Sequence, residues 1–329
     1  MGRLLDGTWR TDDFLARKGA FKRGVTTFRS AIEPGGQHPP ESGRYHLYVS
    51  YACPWAHRTL IARALKGLES HISVSVVSPL MGNDGWTFAE DFDGATQDHV
   101  LGKTLLRDVY TAADPAITTR VTVPILFDTQ INTIVNNESE EILRIFDRNM
   151  GPLAHSDITL RPASLAPVID PINDRIYNTL NNGVYKCGFA GSQSAYDQAV
   201  HELFDTLDWL EDHLATRRFL AGDRMTEADI RLFVTLIRFD PVYVGHFRCN
   251  RQQIGQYNHL SHYLRELYQV PAFRDTTFLD HIRHHYYRSH ESIHPSRIVP
   301  IGPRVDLSPT TQRAALGPWG PVESLRQGS

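Results

Sequence analysis

Regular alternation of apolar and polar positions begins at residue 45, after a stretch rich in Gly, Pro and charged residues that has no clear period. Residues 45–49 alternate and are rich in β-forming residue types, which predicts a strand. Residues 60–68 carry apolar side chains at helical spacing behind Pro54, and proline is favoured at the first position of a helix. Residues 72–76 alternate again. This strand–helix–strand order predicts two parallel strands joined by a crossover helix.

A weakly patterned stretch follows over residues 79–120, in which Gly, Asn, Asp and Thr dominate. A segment of this length inside a compact domain is usually functional or disordered. Residues 121–128 then predict a strand entered through Val123-Pro124, residues 131–135 predict an antiparallel return strand, and Ser139 opens a helix. The order β-α-β, insertion, β-β-α is that of a thioredoxin-like domain.

The second half of the chain has a helical pattern, with an apolar stripe over residues 200–214. A break follows, and a new helix is predicted to begin with Thr226 as the N-cap and Asp229 completing a capping box. The fold class is therefore α/β followed by all-α. We predict five segments: an irregular N-terminal extension (1–43), a thioredoxin-like domain (44–150) with an insertion (79–120), a linker (151–194), an α-helical domain (195–290) and an irregular C-terminal tail (291–329).

The composition argues against nucleic-acid-binding, membrane-spanning and disulfide-rich secreted proteins. The chain has 329 residues, 41% hydrophobic and 22% charged, which fits about two globular domains. Its net charge, 34 − 37 = −3, provides no electrostatic argument for nucleic acid or an anionic membrane. No apolar run approaches the roughly 18 residues of a membrane span, and the polar N-terminus lacks an apolar signal core. Three cysteines indicate a reducing compartment rather than a disulfide framework, so we expect a cytoplasmic enzyme or binding protein.

Cys53 lies between the first predicted strand and the proline that begins the helix. The N–H groups and positive dipole at a helix start favour a thiolate, so we expect the pKa of this thiol to lie below the free value of about 8.5. A dithiol oxidoreductase has a second cysteine three residues on, where this chain has Ala56. Regeneration therefore requires an external thiol such as glutathione. The alternative is a buried, inert cysteine, which is the role expected for Cys187 and Cys249.

Two further features suit a glutathione-like ligand. A cis peptide bond at Val123-Pro124, which the β-β-α context favours over a trans edge-strand proline, exposes the Val123 backbone to an extended ligand. Glu138 and Ser139 precede a helix whose N-terminus can bind a carboxylate, while Glu138 can accept an ammonium group. The γ-glutamyl end of glutathione carries both groups. An ordinary N-cap is the alternative.

The chain has 16 histidines, which produce patterns resembling metal sites. Residues 290–294 match H-E-x-x-H, but Pro295 disfavours helical geometry at His294 and no third-ligand spacing follows. We therefore predict no metal. His57, four residues after Cys53, is an alternative general base. A group of three is expected to form a polar helix face: His281, His284 and His285.

From about Leu5 to Pro303, the chain closely resembles the glutathione transferase superfamily, specifically the glutathionyl-hydroquinone reductases of the Xi class. The strings that carry the resemblance are YACPWAHR (51–58), VTVP (121–124), NNES (136–139), NGVYKCGFA (182–190), TEADIRLF (226–233), RFDPVYVGHF (238–247), HYY (285–287) and IVP (298–300). The chain departs from the family at Glu140, where a second serine is usual, at His294, where asparagine is usual, and in its tail after Pro303.

The resemblance implies roles at the matching positions. Cys53 is implied to be the nucleophile, and Tyr185 and Tyr286 are implied to face the aromatic part of the substrate. The implied glutathione-binding residues are Trp86, Arg120, Val123, Glu138 and Ser139. Arginine suits the pairing with a glutathione carboxylate that is implied for Arg120.

The implied activity is the reduction of glutathionyl-hydroquinones through a Cys53–glutathione mixed disulfide. Glutathione is the co-substrate, no metal takes part, and a homodimer forms through the helical domain. The partners are glutathione and a glutathionyl-aromatic substrate, with no nucleic acid and no membrane. Two alternatives remain: an omega-like thioltransferase or dehydroascorbate reductase, and a non-catalytic binding protein with the glutathione-transferase fold.

Overall fold

The structure is a computed structural model that describes residues 2–11, 26–155, 158–317 and 319. The chain forms two compact units. Unit 1 contains the described residues up to 155 together with 278–291, and unit 2 contains 158–277 and the described residues from 292 onward. Among the described residues, no helix is both long and apolar enough to cross a bilayer.

Short strands and helices alternate in unit 1, whereas unit 2 is helical. The strands are β1 (Arg3–Leu5), β2 (Thr8–Arg10), β3 (Tyr45–Val49), β4 (Ile72–Val76), β5 (Thr119–Arg120), β6 (Ile125–Asp128) and β7 (Thr133–Asn136). The helices are α1 (Pro54–Leu65), α2 (Leu106–Ala113), α3 (Ser139–Arg148), α4 (Ala166–Arg175), α5 (Gly183–Gly188), α6 (Gln193–Leu214), α7 (Glu227–Arg238), α8 (Asn258–Tyr268), α9 (Pro271–Arg274) and α10 (Leu279–Ser289).

The central sheet of unit 1 has the order β4-β3-β6-β7. β3 pairs parallel with β4 and antiparallel with β6, and β6 pairs antiparallel with β7, which confirms the predicted β-α-β and β-β-α units. All five residues of β3 are buried. α1 packs against α3, and Leu60, Ile61 and Leu65 of its predicted apolar stripe are buried. Gly67 has a φ of 63°, the left-handed conformation that lets the chain leave α1.

The prediction of an irregular N-terminal extension was wrong for the first described residues. β1 and β2 form a hairpin through Asp6 and Gly7, and β1 also pairs with β5, giving a second sheet of order β2-β1-β5. Three-residue strands are too short to show a period of two. Trp9 on β2 is held by long-range contacts, since its Nε1 donates to Asn83 O at 3.0 Å and the Arg107 guanidinium lies 5.0 Å from its ring centroid.

The insertion over residues 79–120 contains α2 and β5, and buried polar contacts hold its other parts. The carboxylate of Asp98 makes several of these contacts. Its Oδ1 accepts hydrogen bonds from Tyr48 Oη at 2.9 Å and from Val100 N at 3.0 Å, and its Oδ2 accepts from Lys103 N at 3.0 Å. A single carboxylate therefore ties the turn over residues 98–103 to β3. This ordering depends on partners distant in sequence, so local periodicity does not reveal it.

Residues 151–194 were predicted to be a linker, and this was wrong. They contain α4, a π-helical turn (Ile176–Asn181) and α5. Pro171 inside α4 and Gly183 at the start of α5 interrupt the sequence pattern, yet the structure accommodates both within helical backbone. Asn181 links this segment to α7, because its Nδ2 donates to Thr235 Oγ1 at 2.7 Å.

The capping box at the start of α7 is confirmed. Asp229 Oδ2 accepts from Thr226 N at 2.8 Å, and Oδ1 accepts from Leu220 N at 2.9 Å and from Tyr263 Oη at 2.7 Å. Burial raises the pKa of Asp229, because these partners are neutral and do not offset the desolvation of the carboxylate. The carboxylate joins the loop before α7 to α8.

The C-terminal boundary of the helical domain differs from the predicted residue 290, because residues 278–291, which include α10, belong to unit 1. The described part of the tail is mostly irregular and contains one 3₁₀ turn (Ala314–Leu316). Buried Arg313 attaches it to the helices of unit 2: Nε donates to Glu266 Oε2 at 3.0 Å, and Nη2 donates to Arg218 O at 2.7 Å. Glu266 also pairs with the Arg218 guanidinium.

A buried ion pair lies where β6 ends in the central sheet of unit 1. Asp128, at the end of β6, accepts from Arg44 Nη2 at 2.6 Å and forms a 2.8 Å contact with His38 Nδ1. Burial alone would raise the pKa of Asp128, but the hydrogen bonds from Arg44 and His38 outweigh it and hold this pKa below its ordinary value.

We expect Asp128→Ala to destabilise the protein by about 3–5 kcal/mol at pH 7, because it leaves the buried Arg44 charge without this partner. Asp84→Ala is the matched control. Asp84 pairs with Arg107 at 3.0 Å but is 65% exposed, so its loss should cost at most about 1 kcal/mol. Urea unfolding followed by circular dichroism measures both.

The effect should depend on pH. Because the pKa of Asp128 is depressed in the folded state, the stability it contributes is present above the unfolded pKa of about 3.9 and is lost as pH falls through the folded value. The difference between wild type and Asp128→Ala should therefore shrink below about pH 4. A difference that stays constant down to pH 2, or equal costs for the two variants, would contradict this account.

Candidate active site

Cys53 is positioned by the turn between β3 and α1. Ser50 follows β3, and its carbonyl accepts from Cys53 N at 3.1 Å while its Oγ accepts from Ala52 N at 3.3 Å. Cys53 is then the N-cap of α1, with extended backbone, and Pro54 is the first helical residue. The Cys53 carbonyl accepts from His57 N at 3.0 Å and so starts the helical hydrogen-bond ladder. The half-buried thiol thus lies at the positive end of α1.

Val123 lies beside this thiol. Cys53 Sγ lies 3.6 Å from Val123 O, and the Val123-Pro124 peptide bond is cis. A carbonyl oxygen only accepts hydrogen bonds, so this contact is that of the protonated thiol. Ionisation of Cys53 removes the donor, which makes the Val123 carbonyl available to another N–H group. The structure thus brings together two residues that the sequence places 70 positions apart.

Glu138 and Ser139 form the start of α3, as predicted. Glu138 is the N-cap, and its Oε1 accepts from Glu140 N and from Ser139 Oγ, each at 3.4 Å. Glu138 N in turn donates to Asn136 Oδ1 at 2.8 Å. Glu140 replaces the usual serine, and its charge pairs with Arg144 at 2.6 Å along the same helix. The departure at position 140 therefore leaves the helix start intact.

Asn137, which the sequence shows only as part of the NNES string, holds the loop next to Glu138 in place. Its Nδ2 donates to Tyr110 Oη at 3.2 Å, and its Oδ1 accepts from Phe28 N at 3.2 Å. These contacts attach the loop before α3 to α2 and to the described segment that begins at residue 26. Its place in that string beside Glu138 was a signal of the site, but it assigned Asn137 no role because asparagine pairs are typical of loops in general.

Trp86 is buried in the insertion. Its carbonyl accepts from Leu106 N at 3.0 Å, and its ring stacks on the His285 imidazole with 4.7 Å between centroids. His281 and His285 are both buried, so the predicted polar face of α10 is turned into unit 1. Arg120, by contrast, is exposed on β5, opposite Arg3 of β1.

Tyr286 is almost completely buried on α10, with its ring 5.3 Å from that of His285 and 5.5 Å from that of His290. It lies in unit 1, whereas the sequence assigned it to the helical domain. α10 ends at Ser289, so the H-E-x-x-H string does not lie on one helix. Among the described residues, no group of three or more His, Cys, Asp or Glu side chains is arranged to hold a metal ion.

Tyr185 lies on α5 in unit 2, half-buried within an aromatic cluster. Its ring centroid is 5.3 Å from that of Phe247, and the Phe247 ring stacks on Tyr243 at 5.5 Å. Two π-helical turns border this cluster, Ile176–Asn181 before α5 and Phe239–Tyr243 after α7. π-helical turns are frequent at functional sites.

The other cysteines differ from Cys53. Cys187 and Cys249 are fully buried in unit 2, and the Cys249 pKa is raised by burial and by a contact with the Cys187 thiol. Raised pKa values and burial make thiols inert. His57, the alternative base, is also buried, on α1.

Comparison with known proteins matches both halves of the chain. Residues 52–149 match the family "Glutathione S-transferase, N-terminal domain", and residues 193–266 match "Glutathione S-transferase, C-terminal domain". The glutathionyl-hydroquinone reductase YqjG of Escherichia coli is 49% identical over 93% of this chain and 97% of its own. The glutathionyl-hydroquinone reductase PcpF of Sphingobium chlorophenolicum is 50% identical over 93% and 98%.

Solved structures agree. A Xi-class glutathione transferase from Natrialba magadii has a TM-score of 0.91 and 50% identity, covering 96% of this chain and 97% of its own. Glutathione-bound YqjG has a TM-score of 0.88 and 47% identity, covering 95% and 99%. With a cysteine at the start of α1, a cis proline opposite it and relatives of this similarity along nearly the whole chain, the protein belongs to the Xi-class glutathione transferases, the family of the glutathionyl-hydroquinone reductases.

Proposed function

We propose that this protein reduces glutathionyl-hydroquinones to hydroquinones, using glutathione as the reductant. The observation that carries the proposal is the half-buried Cys53 thiol at the start of α1, opposite Val123, in a chain 49% identical to the YqjG reductase. The glutathione-bound structure of YqjG supports glutathione as the co-substrate.

The proposed reaction has two steps. The Cys53 thiolate attacks the sulfur of the glutathionyl-hydroquinone, the bond between sulfur and the aromatic carbon breaks, and that carbon takes a proton to give the hydroquinone. Cys53 is left as a mixed disulfide with glutathione. A second glutathione thiolate attacks the glutathione sulfur of this disulfide, so that oxidised glutathione leaves and the Cys53 thiolate returns. Position 56 holds alanine, so no neighbouring thiol on α1 competes with the second glutathione.

Carbon is a poor leaving atom, so the first step requires proton donation to the ring or stabilisation of its oxygens. We assign this role to Tyr185 and Tyr286. The Tyr185 ring belongs to the aromatic cluster of unit 2, and Tyr286 lies on the same helix as His285, which stacks on Trp86. The aromatic surroundings of Tyr185 suit a flat ring substrate.

We assign glutathione binding to five residues with complementary chemistry. Val123 offers backbone groups to the cysteinyl part, Glu138 and Ser139 hold the γ-glutamyl end at the start of α3, and Trp86 and Arg120 contribute an indole face and a guanidinium. We further propose that the protein is cytoplasmic, where glutathione is abundant. We also propose that it forms a homodimer, as the family resemblance implies.

Intact-protein mass spectrometry after mixing with a glutathionyl-hydroquinone, without free glutathione, tests the first step. We expect one added glutathione, mapped to Cys53, and one released hydroquinone per chain. Cys53→Ala should give no adduct and no turnover, and Cys53→Ser should keep at most weak transferase activity. Cys187→Ala is the matched control and should keep the adduct, because Cys187 is buried. No adduct on wild type with an alkylatable Cys53 would reject the reductase and favour a thioltransferase or a binding protein.

The tyrosine roles predict a defect in the first step alone. Tyr286→Phe and Tyr185→Phe should each slow hydroquinone release in a single turnover by about 100-fold, the typical contribution of a positioned proton donor. The reaction of the preformed mixed disulfide with glutathione should keep its rate. Tyr287→Phe on α10 and Tyr243→Phe in the aromatic cluster are matched controls. Equal rates for Tyr286→Phe and Tyr287→Phe would remove Tyr286 from the mechanism.

A further inference from the structure

One face of α10 binds the backbone of the insertion that carries Trp86. His281, His285 and Ser289 are spaced four residues apart, which places them on one side of the helix. His281 Nε2 donates to Asp93 O at 2.6 Å, and His285 Nδ1 donates to Pro79 O at 2.9 Å. Carbonyl oxygens only accept, so each of these ring nitrogens carries its proton.

Ser289 completes this contact. Its Oγ donates to Pro79 O at 3.2 Å and accepts from Met81 N at 3.0 Å. The Pro79 carbonyl is therefore shared by two side chains of α10. The Pro79 carbonyl and the Met81 N–H both bind side chains of α10, so these hydrogen bonds fix the start of the insertion against this helix.

His285 also contacts the ring of Trp86. The imidazole and indole centroids are 4.7 Å apart and their planes are 22° from parallel, so the imidazole covers one face of the indole. The hydrogen bond to Pro79 fixes the plane of the imidazole, and the hydrogen bond from Leu106 N to Trp86 O fixes the backbone of the tryptophan. The backbone of Trp86 and one face of its indole are thus both held by contacts within unit 1.

We propose that His285 is a positioning residue for glutathione binding: held by Pro79, it stacks on Trp86 and presents the other face of the indole to the ligand. The proposal rests on the proposed function, which gives Trp86 its contact with glutathione. Preorganisation of a contacting side chain improves affinity, because the cost of ordering it is met during folding. His285 acts through Trp86 and takes no part in the chemistry at Cys53.

Direct binding of S-methylglutathione, measured by isothermal titration calorimetry, tests the proposal without any hydroquinone chemistry. We expect His285→Ala to raise the Kd about 10-fold, a typical effect of one disordered contact residue. His285→Gln keeps a donor for Pro79 but loses the ring, and His285→Phe keeps a flat ring but loses the donor. The Kd of each of these two variants should lie between that of the wild type and that of His285→Ala. Arg288→Ala, which removes an exposed side chain of the same helix, should leave the Kd unchanged.

A double-mutant cycle with Trp86→Ala separates positioning from general damage to the fold. If His285 acts through Trp86, His285→Ala should have no further effect on the Kd once Trp86 is alanine. In turnover assays, His285→Ala should raise the KM for glutathione and leave kcat within about twofold, because transition-state chemistry is untouched. If His285→Ala does not fold, the same double-mutant cycle with Trp86→Ala can be measured with His285→Phe and His285→Gln.

The outcomes distinguish the two proposals. Additive effects of His285→Ala and Trp86→Ala, or equal affinities in all His285 variants, would overturn the positioning role and leave the proposed function standing. A wild-type protein that binds no S-methylglutathione would overturn both. A fall in kcat with unchanged KM would also contradict a role in binding.

Discussion

The antiparallel pairing of β3 with β6 is the constraint on which the candidate site depends. Tyr48 of β3 lies opposite Ile125 of β6, so the end of β3 and the start of β6 share one edge of the sheet. The chain leaving β3 reaches Cys53 after a short turn, and the chain entering β6 passes through Val123 and the cis proline. The 3.6 Å separation of Sγ and the Val123 carbonyl follows from this register. A slip of the pairing would separate a helix start from the backbone that faces it.

Buried polar groups, rather than apolar periodicity, order the irregular parts of both units. Asp98 collects backbone N–H groups from its own turn and the Tyr48 hydroxyl from β3. His281 and His285 of α10 donate hydrogen bonds to backbone carbonyls of the insertion. A loop poor in apolar residues can be rigid when its backbone groups have buried partners, and an unsatisfied buried group is costly enough to enforce that arrangement.

Two buried carboxylates show how the partners determine the charge. Asp128 faces the Arg44 guanidinium, and its pKa is lowered although burial opposes this. Asp229 is bound by backbone N–H groups and hydroxyls, and its pKa is raised because burial dominates. Both join segments distant in sequence, the one at the edge of a sheet and the other at the start of α7. As the pH falls, Asp229 therefore takes up a proton before Asp128 does, and only the protonation of Asp128 removes stability from the fold.

The sequence by itself determined the elements whose signals are local. Apolar periodicity predicted β3, α1, β4 and α6, Thr226 and Asp229 predicted the capping box, and Cys53 before Pro54 indicated a thiol at a helix start. Only the tertiary structure decided the placement of α10 in unit 1, the strands within residues 1–43, the helices within 151–194 and the stack of His285 on Trp86. Period and capping depend on residues a few positions apart. The placement of α10 and the His285–Trp86 stack instead arise from hydrogen bonds and ring contacts between residues about two hundred positions apart, for which a single sequence contains no local signal. The strands within 1–43 are too short to show a period, and Pro171 and Gly183 interrupt the helical pattern within 151–194.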